Sequence, residues 1–146
     1  MASISGAQIM ARTLKQHGVD TMFYLIGGPT SSVELACIED GIHSIDVRHE
    51  QAAAMMAHAY ARVSNRVGVC MGASGPGSAN LVTGVATAWA DAAPLLAVGG
   101  SSPMKEWETG GGFQEMDQVA LFRPITKWAE RIIDMGAAHV VSDKPV

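Results

Sequence analysis

The sequence is short of cysteine and of charge, and each shortage excludes a class of protein. Its two cysteines, Cys37 and Cys70, are too few for a disulfide framework or a structural zinc site. Both lie in apolar patterns, so we expect buried free thiols, as in proteins of reducing compartments. Ten Lys and Arg against fourteen Asp and Glu leave a net charge of −4. This balance excludes binding to nucleic acid or to a membrane surface through bulk positive charge.

Long hydrophobic runs are also absent. The longest clean apolar run covers about seven residues, 92–98, whereas a membrane helix needs about 20. The N-terminus has no basic start followed by an apolar stretch, so we expect no signal peptide. With 48% hydrophobic residues, 146 residues are enough for one domain with a real core. We therefore expect a soluble, cytoplasmic protein in which residues 1–146 form a single domain.

Apolar runs and helical patterns alternate along the chain. Strands are predicted near residues 21–26, 42–47, 67–71 and 95–98. Ser5 and Gln8 have the spacing of a capping box at the start of the first helix. Further helices are predicted from Ser78, as the cap, to about residue 91 and over residues 113–122, with a short strand or extended stretch near 125–128. This order predicts an α/β fold, a doubly wound and mostly parallel sheet with helices on both faces.

Four polar or glycine-rich loops follow the predicted strands, at residues 27–29, 49–51, 74–78 and 99–112. Ligands bind at the carboxyl ends of strands in open parallel sheets, so these loops could build one site. A glycine loop before a helix also occurs as an ordinary tight turn or as a phosphate site. The chain has neither the G-x-G-x-x-G order nor a G-x-x-x-x-G-K-[ST] motif, which disfavours a nucleotide site.

Glu50 is the most informative polar residue in these loops. An acid in the first turn of a helix often only stabilises the helix dipole. The small apolar residues that follow it would shield its carboxyl from water, which favours the protonated form and suits it to sharing a proton. His49 beside it is open to a role as partner, ligand or structural residue. Gln114 and Glu115 open the helix predicted after the long loop, and capping of that helix is an equal alternative for them.

Taken together, the loops resemble a known family. Residues 47–62 resemble the helix that bears the cofactor-activating glutamate of thiamine diphosphate enzymes, and residues 74–84, 91–96 and 112–115 resemble other signatures of that group. The order and spacing of all four are similar to the N-terminal pyrimidine-binding domain of the acetolactate synthase-like enzymes. The resemblance implies a thiamine diphosphate-binding fold and thiamine diphosphate as cofactor.

Smaller features separate the subfamilies. Residues 94–102, with 108–109 and 112–115, are most similar to 2-hydroxyacyl-CoA lyases, and oxalyl-CoA decarboxylases share the Gly-Ser-Ser element. The resemblance implies a lyase or carboligase that cleaves or forms a C–C bond next to a 2-hydroxyacyl thioester. Acetolactate synthases share the Phe-Gln-Glu element and residues 123–127, so a synthase, a 2-oxo acid or oxalyl-CoA decarboxylase, or the pyrimidine subunit of a split decarboxylase are alternatives. A non-catalytic module that keeps the fold is another, although it would not need Glu50.

The resemblance also implies a role for each candidate residue. Glu50 would hydrogen-bond N1′ of the aminopyrimidine ring and so promote loss of the thiazolium C2 proton. Gln114 would lie near the reacting centre and contact the substrate, as would Gly27 and Gly28. The residues that would surround the pyrimidine are Ser74, Gly75, Pro76, Gly77 and Asn80. We expect no metal ligand among them.

The diphosphate half of such a site has no counterpart in the sequence. The family's Gly-Asp-Gly signature, which holds Mg²⁺ against the diphosphate, does not occur, nor does a middle domain for CoA. The resemblance implies that a diphosphate-binding domain of another subunit or chain completes the site, in a homodimer or homotetramer, and that this chain alone is inactive. Its implied substrate is a small acyl-CoA or 2-oxo acid. Only fifteen residues follow Arg131, so we expect a truncated or atypical C-terminal end.

Overall fold

The structure is a computed structural model that describes residues 4–133 of the chain. Within this range four parallel strands form: β1 (Thr21–Tyr24), β2 (His43–Asp46), β3 (Gly68–Gly72) and β4 (Leu95–Gly99). Their order in the sheet is β2-β1-β3-β4, and Phe23 of β1 stands opposite Ile45 on one side and Cys70 on the other. The predicted α/β fold is confirmed.

Helices connect these strands. In the described range they are α1 (Gly6–Gln16), α2 (Ser31–Glu39), α3 (Glu50–Ser64), α4 (Pro76–Asn80), α5 (Val82–Ala90), α6 (Met104–Glu108) and α7 (Gln118–Phe122), with 3-10 helices at Gly28–Thr30 and Arg123–Ile125. The predicted capping box is confirmed, since Ser5 Oγ accepts from the Gln8 N–H at 3.2 Å. His49 proves to be the cap of α3, with its Nδ1 accepting from the Gln51 N–H at 3.2 Å. No helix among the described residues is long and apolar enough to cross a membrane.

Both faces of the sheet are covered because side chains alternate along the strands. Met22 of β1 packs with residues of α1 and α2 on one face. Phe23 and Cys70 pack with α3 and α5 on the other. The buried face of α3 is mostly alanine, which brings its backbone so close to β3 that a Cβ on Gly68 would overlap the Ala57 carbonyl. This close packing fixes the start of α3, and with it Glu50, relative to the sheet.

The two cysteines are free and buried, which confirms the prediction. Burial raises the pKa of Cys70 to about 12. Burial, with a smaller contribution from nearby Asp40, raises the pKa of Cys37 to about 11. Both side chains are therefore neutral thiols at physiological pH and are poor nucleophiles.

The helix predicted from Ser78 is wrong in its start. The chain forms two helices there, α4 and α5, separated at Leu81. Ser78 lies inside α4, and its hydroxyl donates to the Ala73 carbonyl at 2.8 Å instead of capping a helix. The serine thus fastens the turn after β3 to the helix that follows it.

The C-terminal part also differs from the prediction. The helix predicted over residues 113–122 begins only at Gln118, because Gln114 has a φ of +57° that a right-handed helix cannot include. The residues near 125–128 add no strand to the sheet within the described range, and the 3-10 helix Arg123–Ile125 takes up part of that stretch. The long loop predicted after β4 contains α6. The predicted atypical end beyond residue 133 lies outside the described residues.

Candidate functional site

The glycine-rich loops meet at the carboxyl edge of the sheet. β1 and β3 are neighbours at the centre of the sheet; β2 lies outside β1, and β4 lies outside β3. The chain therefore changes direction across the sheet between β1 and β3, which is the switch point. Open parallel sheets bind their ligands at such a point. Gly27 after β1 and Ala73 after β3 approach closely here, since a Cβ on Gly27 would lie 2.5 Å from the Ala73 Cβ. Position 27 therefore accepts only glycine without a shift of the backbone.

Glu50 reaches the same edge from the end of β2, as the first residue of α3. It is only 6% exposed. Its Oε2 accepts a hydrogen bond from Asn80 Nδ2 at 3.0 Å. Its Oε1 lies next to Gly77, where a Cβ would come within 2.7 Å of it. A desolvated carboxyl is thus held between an amide donor and a glycine backbone, at a helix N-terminus that favours negative charge.

Gly77 also contacts Ala73, because a Cβ on Gly77 would lie 2.7 Å from the Ala73 Cβ. We call Gly27, Ala73 and Gly77 together the glycine wall. It brings backbone atoms from the ends of two strands next to the Glu50 carboxyl with hardly any side chain between them. A flat ring can approach such a surface closely.

Gln114 comes to this edge from the C-terminal part of the chain. Its carbonyl oxygen lies against Gly75, so close that a Cβ on Gly75 would overlap it. Gly75 itself has a φ of +54°, in the region that favours glycine. The Gln114 residue is exposed. The structure therefore brings Gln114 beside the turn after β3.

The other candidate residues differ in their burial and in their surroundings. Ser74 is 1% exposed within the turn, and Pro76 is exposed at the first position of α4. Gly28 opens a 3-10 helix, and no atom lies within 4 Å of the position that its Cβ would take. A side chain at position 28 would therefore extend into open space, whereas one at position 27 would meet Ala73.

Two residues around Gly27 were missed by the sequence reasoning. Thr30 is 3% exposed, and its Oγ1 donates to the Gly27 carbonyl at 3.1 Å and accepts from the Gly27 N–H at 3.3 Å. Gly100 lies so close that a Cβ on it would be 3.0 Å from the Ser74 nitrogen and 3.1 Å from a methyl carbon of Thr30. The available signal was a threonine three residues after a glycine, a spacing typical of side chain-to-backbone turns.

The chemistry available here is that of one desolvated carboxyl with a fixed amide partner. Such a carboxyl needs a further hydrogen-bonding partner and can exchange a proton with it. Within residues 4–133 no three His, Cys, Asp or Glu side chains are grouped so that they could hold a metal ion.

Comparison with known proteins identifies the family. The model of the thiamine pyrophosphate enzymes, N-terminal TPP binding domain, matches residues 4–121. The chain belongs to this family. The matched range contains Glu50, Asn80, the glycine wall and Gln114. The resemblance to thiamine pyrophosphate enzymes is confirmed.

Relatives of two named activities are similar to this thiamine pyrophosphate enzyme domain. The chain is 43% identical to the acetolactate synthase large subunit of Parasynechococcus marenigrum (strain WH8102) over 135 residues, which cover 88% of the chain and 22% of that protein. It is 38% identical to 2-hydroxyacyl-CoA lyase 1 of Homo sapiens over 143 residues, which cover 98% of the chain and 25% of that protein. It is 39% identical to 2-hydroxyacyl-CoA lyase 2 of Danio rerio over 127 residues, which cover 87% of the chain and 20% of that protein. The chain thus spans 20–25% of the length of these relatives.

Proposed function

We propose that this chain forms the pyrimidine-binding part of the active site in a thiamine diphosphate-dependent C–C lyase or carboligase. The observation that carries the proposal is the buried Glu50 carboxyl, bonded to Asn80 at 3.0 Å and set against Gly77 at the switch point of the sheet. Burying a carboxyl is costly, and a domain with a purely architectural role has no use for that cost here.

The residues present fit an aminopyrimidine ring. The glycine wall leaves backbone accessible to a flat ring, and the Glu50 carboxyl beside it needs a hydrogen-bonding partner that a ring nitrogen supplies. When bound, thiamine diphosphate supplies a nucleophilic thiazolium carbon and a ring system that takes up the electron pair of the cleaved C–C bond. Ser74, Gly75 and Pro76 shape the turn that carries the wall.

In this mechanism Glu50 shares a proton with the ring nitrogen. A positioned acid–base group of this kind contributes about 10²–10⁴-fold to a rate. Asn80 fixes Oε2 and so fixes the rotation of the whole carboxyl group. Gln114, exposed beside Gly75, contacts the substrate, and Gly27 and Gly28 border it.

We propose 2-hydroxyacyl-CoA as the substrate, cleaved to an aldehyde or ketone and formyl-CoA, or formed in reverse. Similarity to the human 2-hydroxyacyl-CoA lyase 1 over 98% of the chain supports this choice. The second candidate is acetolactate synthase activity, in which two 2-oxo acids join with loss of CO₂. The 43% identity to an acetolactate synthase large subunit supports that candidate.

The proposal includes a diphosphate-binding domain from another subunit or chain, which would also hold Mg²⁺. One observation that supports it is the exposure of large apolar side chains on α3 and α5, where Met55 is 43%, Met56 39% and Trp89 48% exposed. Exposed apolar groups of this size mark contact surfaces. Met55 and Met56 lie in the helix that Glu50 begins, so the proposed diphosphate-binding partner contacts this helix. A homodimer or homotetramer would provide such a partner.

Glu50→Gln tests the central role. The variant keeps the shape of the side chain and removes the proton-sharing acid, so exchange of the C2 proton of thiamine diphosphate, followed by NMR in the assembled enzyme, should slow by about 10²–10⁴-fold. Glu39→Gln, on an exposed face of α2, is the matched control and should exchange at the wild-type rate. Wild-type exchange by Glu50→Gln would refute the assignment.

Product analysis tests the proposed substrate, and calorimetry tests the two-part site. Formyl-CoA and an aldehyde from a 2-hydroxyacyl-CoA support the lyase, whereas acetolactate from pyruvate supports the synthase. Calorimetry with thiamine diphosphate and Mg²⁺ should detect tight binding only when the diphosphate-binding partner is present. Tight, magnesium-dependent binding by the chain alone would contradict the two-part site.

A further inference from the structure

Glu115 joins three segments of the chain at one carboxylate. It follows Gln114 in the loop before α7, and its side chain is 10% exposed. Its Oε2 accepts hydrogen bonds from the Ser102 N–H at 3.1 Å and from the Ser101 hydroxyl at 3.3 Å. Its Oε1 accepts one from the Arg131 guanidinium. We call these four residues the Glu115 clamp.

The clamp is charged at neutral pH. Burial raises the pKa of Glu115, but the hydrogen bonds from Ser102, Arg131 and Ser101 and the positive charge of Arg131 outweigh burial. The pKa of Glu115 therefore lies below its ordinary value, and the side chain accepts these hydrogen bonds as a carboxylate. Hydrogen bonds to an ionised acceptor are stronger than those to a neutral one.

Gln114 needs such a fastening because its own backbone conformation is unfavourable. Its φ of +57° lies in the left-handed region, which a residue with a side chain keeps only where its surroundings enforce it. Its carbonyl oxygen is pressed against Gly75. Three residues after Glu115, Gln118 Nε2 donates to the Gly100 carbonyl at 2.8 Å. This is a second hydrogen bond between this loop and the residues just after β4.

A carboxylate with several donors can also serve stability alone. Buried ion pairs, however, add little net stability compared with apolar residues of the same size, and in some proteins their role is to select one conformation. The conformation selected here is that of Gln114, which immediately precedes Glu115. Both anchor points of the loop, Ser102 and Gly100, lie just after β4, at the edge of the sheet where the candidate site lies.

We propose that Glu115 is a positioning residue that holds Gln114 in its left-handed conformation against Gly75. The proposal rests on the proposed function for the substrate contact of Gln114, whereas the clamp itself is a property of the chain.

Glu115→Gln tests the clamp, with Glu106→Gln on the exposed surface of α6 as matched control. Hydrogen–deuterium exchange of the full chain reports on the clamp without any catalysis. Loss of the charged acceptor should speed exchange of the Ser102 amide and of residues 112–117 by about tenfold or more in Glu115→Gln, with β1 and β3 unchanged. Exchange equal to that of Glu106→Gln would overturn the proposal, and so would a uniform rise across the sheet.

A double-mutant cycle in the assembled enzyme then tests positioning. Glu115→Gln and Gln114→Ala should each lower kcat by about tenfold at unchanged affinity for thiamine diphosphate, and the double variant should match Gln114→Ala. Fully additive losses would overturn the positioning role. If Gln114→Ala turns over at the wild-type rate while Glu115→Gln still exchanges faster, the clamp stands and the proposed substrate contact of Gln114 fails.

Discussion

The Asn80 side-chain amide donates to Glu50 Oε2 at 3.0 Å, across 30 positions of sequence. The bond joins the end of α4 to the first turn of α3. Because the carboxyl is almost fully buried, this amide replaces a hydrogen bond that water would otherwise provide. Asn80 therefore holds the Glu50 carboxyl in a fixed orientation.

Asn80→Ala should weaken the function of Glu50 without disrupting the fold. Leaving a buried acceptor without its hydrogen-bonding partner costs about 1–3 kcal/mol, which corresponds to about five- to a hundredfold slower C2 proton exchange. NMR exchange measurements in the assembled enzyme check this prediction. Gln16→Ala, an exposed amide at the end of α1, is the control and should leave the rate unchanged. Equal rates in both variants would show that the amide does not position the carboxyl.

Gly77→Ala should disturb both the carboxyl and the wall. The new methyl group would lie 2.7 Å from Glu50 Oε1 and 2.7 Å from the Ala73 Cβ, so one of them has to move. Overpacking of this kind costs about 1–3 kcal/mol of unfolding free energy, measurable by urea denaturation. Gly111→Ala is the comparison, because its methyl group would find only Thr109 Oγ1, at 3.7 Å. Equal stability of the two variants would contradict the close approach at Gly77.

His49 should matter through its cap on α3. His49→Ala removes the acceptor of the Gln51 N–H and should cost about 0.5–2 kcal/mol in urea unfolding. His49→Asn restores a strong capping side chain and should recover most of that stability. A chemical role of the imidazole would give the opposite pattern, with stability unchanged and activity lost in both variants.

The sequence was sufficient to predict the α/β fold and the burial of Glu50 at the start of its helix, because both depend on local patterns. Strand-like apolar runs and the loops after them are visible in the chain, and their order places all the loops at one sheet edge. The left-handed φ of Gln114 could not be predicted, since it depends on contacts with Gly75 and on the hydrogen bonds of Glu115. Of the strand or extended stretch predicted near residues 125–128, no strand forms for a similar reason: Ile125 packs against the core beside α3 and α5 instead of extending the sheet, although Thr126 is extended.

Acid should weaken the protein partly through Asp20, which follows α1 and precedes β1. The Tyr60 hydroxyl and the Arg66 guanidinium both donate to its carboxylate, tying α3 and the residues after it to the start of β1. The hydrogen bond from Tyr60, with smaller contributions that include the charge of Arg66, holds the pKa of Asp20 below its ordinary 3.8 despite partial burial.

The sign of the pH effect follows from that shift. A folded pKa below the unfolded one means that Asp20 adds stability above about pH 4 and loses it as the pH falls through the folded pKa. Tyr60→Phe removes the largest cause, so the pKa of Asp20 should rise toward 3.8, and the stability lost relative to wild type should be greater at about pH 6 than at about pH 3. NMR titration of the Asp20 carboxyl and urea unfolding at both pH values measure this, with Glu39→Gln as an exposed control. An unchanged Asp20 titration in Tyr60→Phe would show that the hydroxyl does not stabilise the carboxylate.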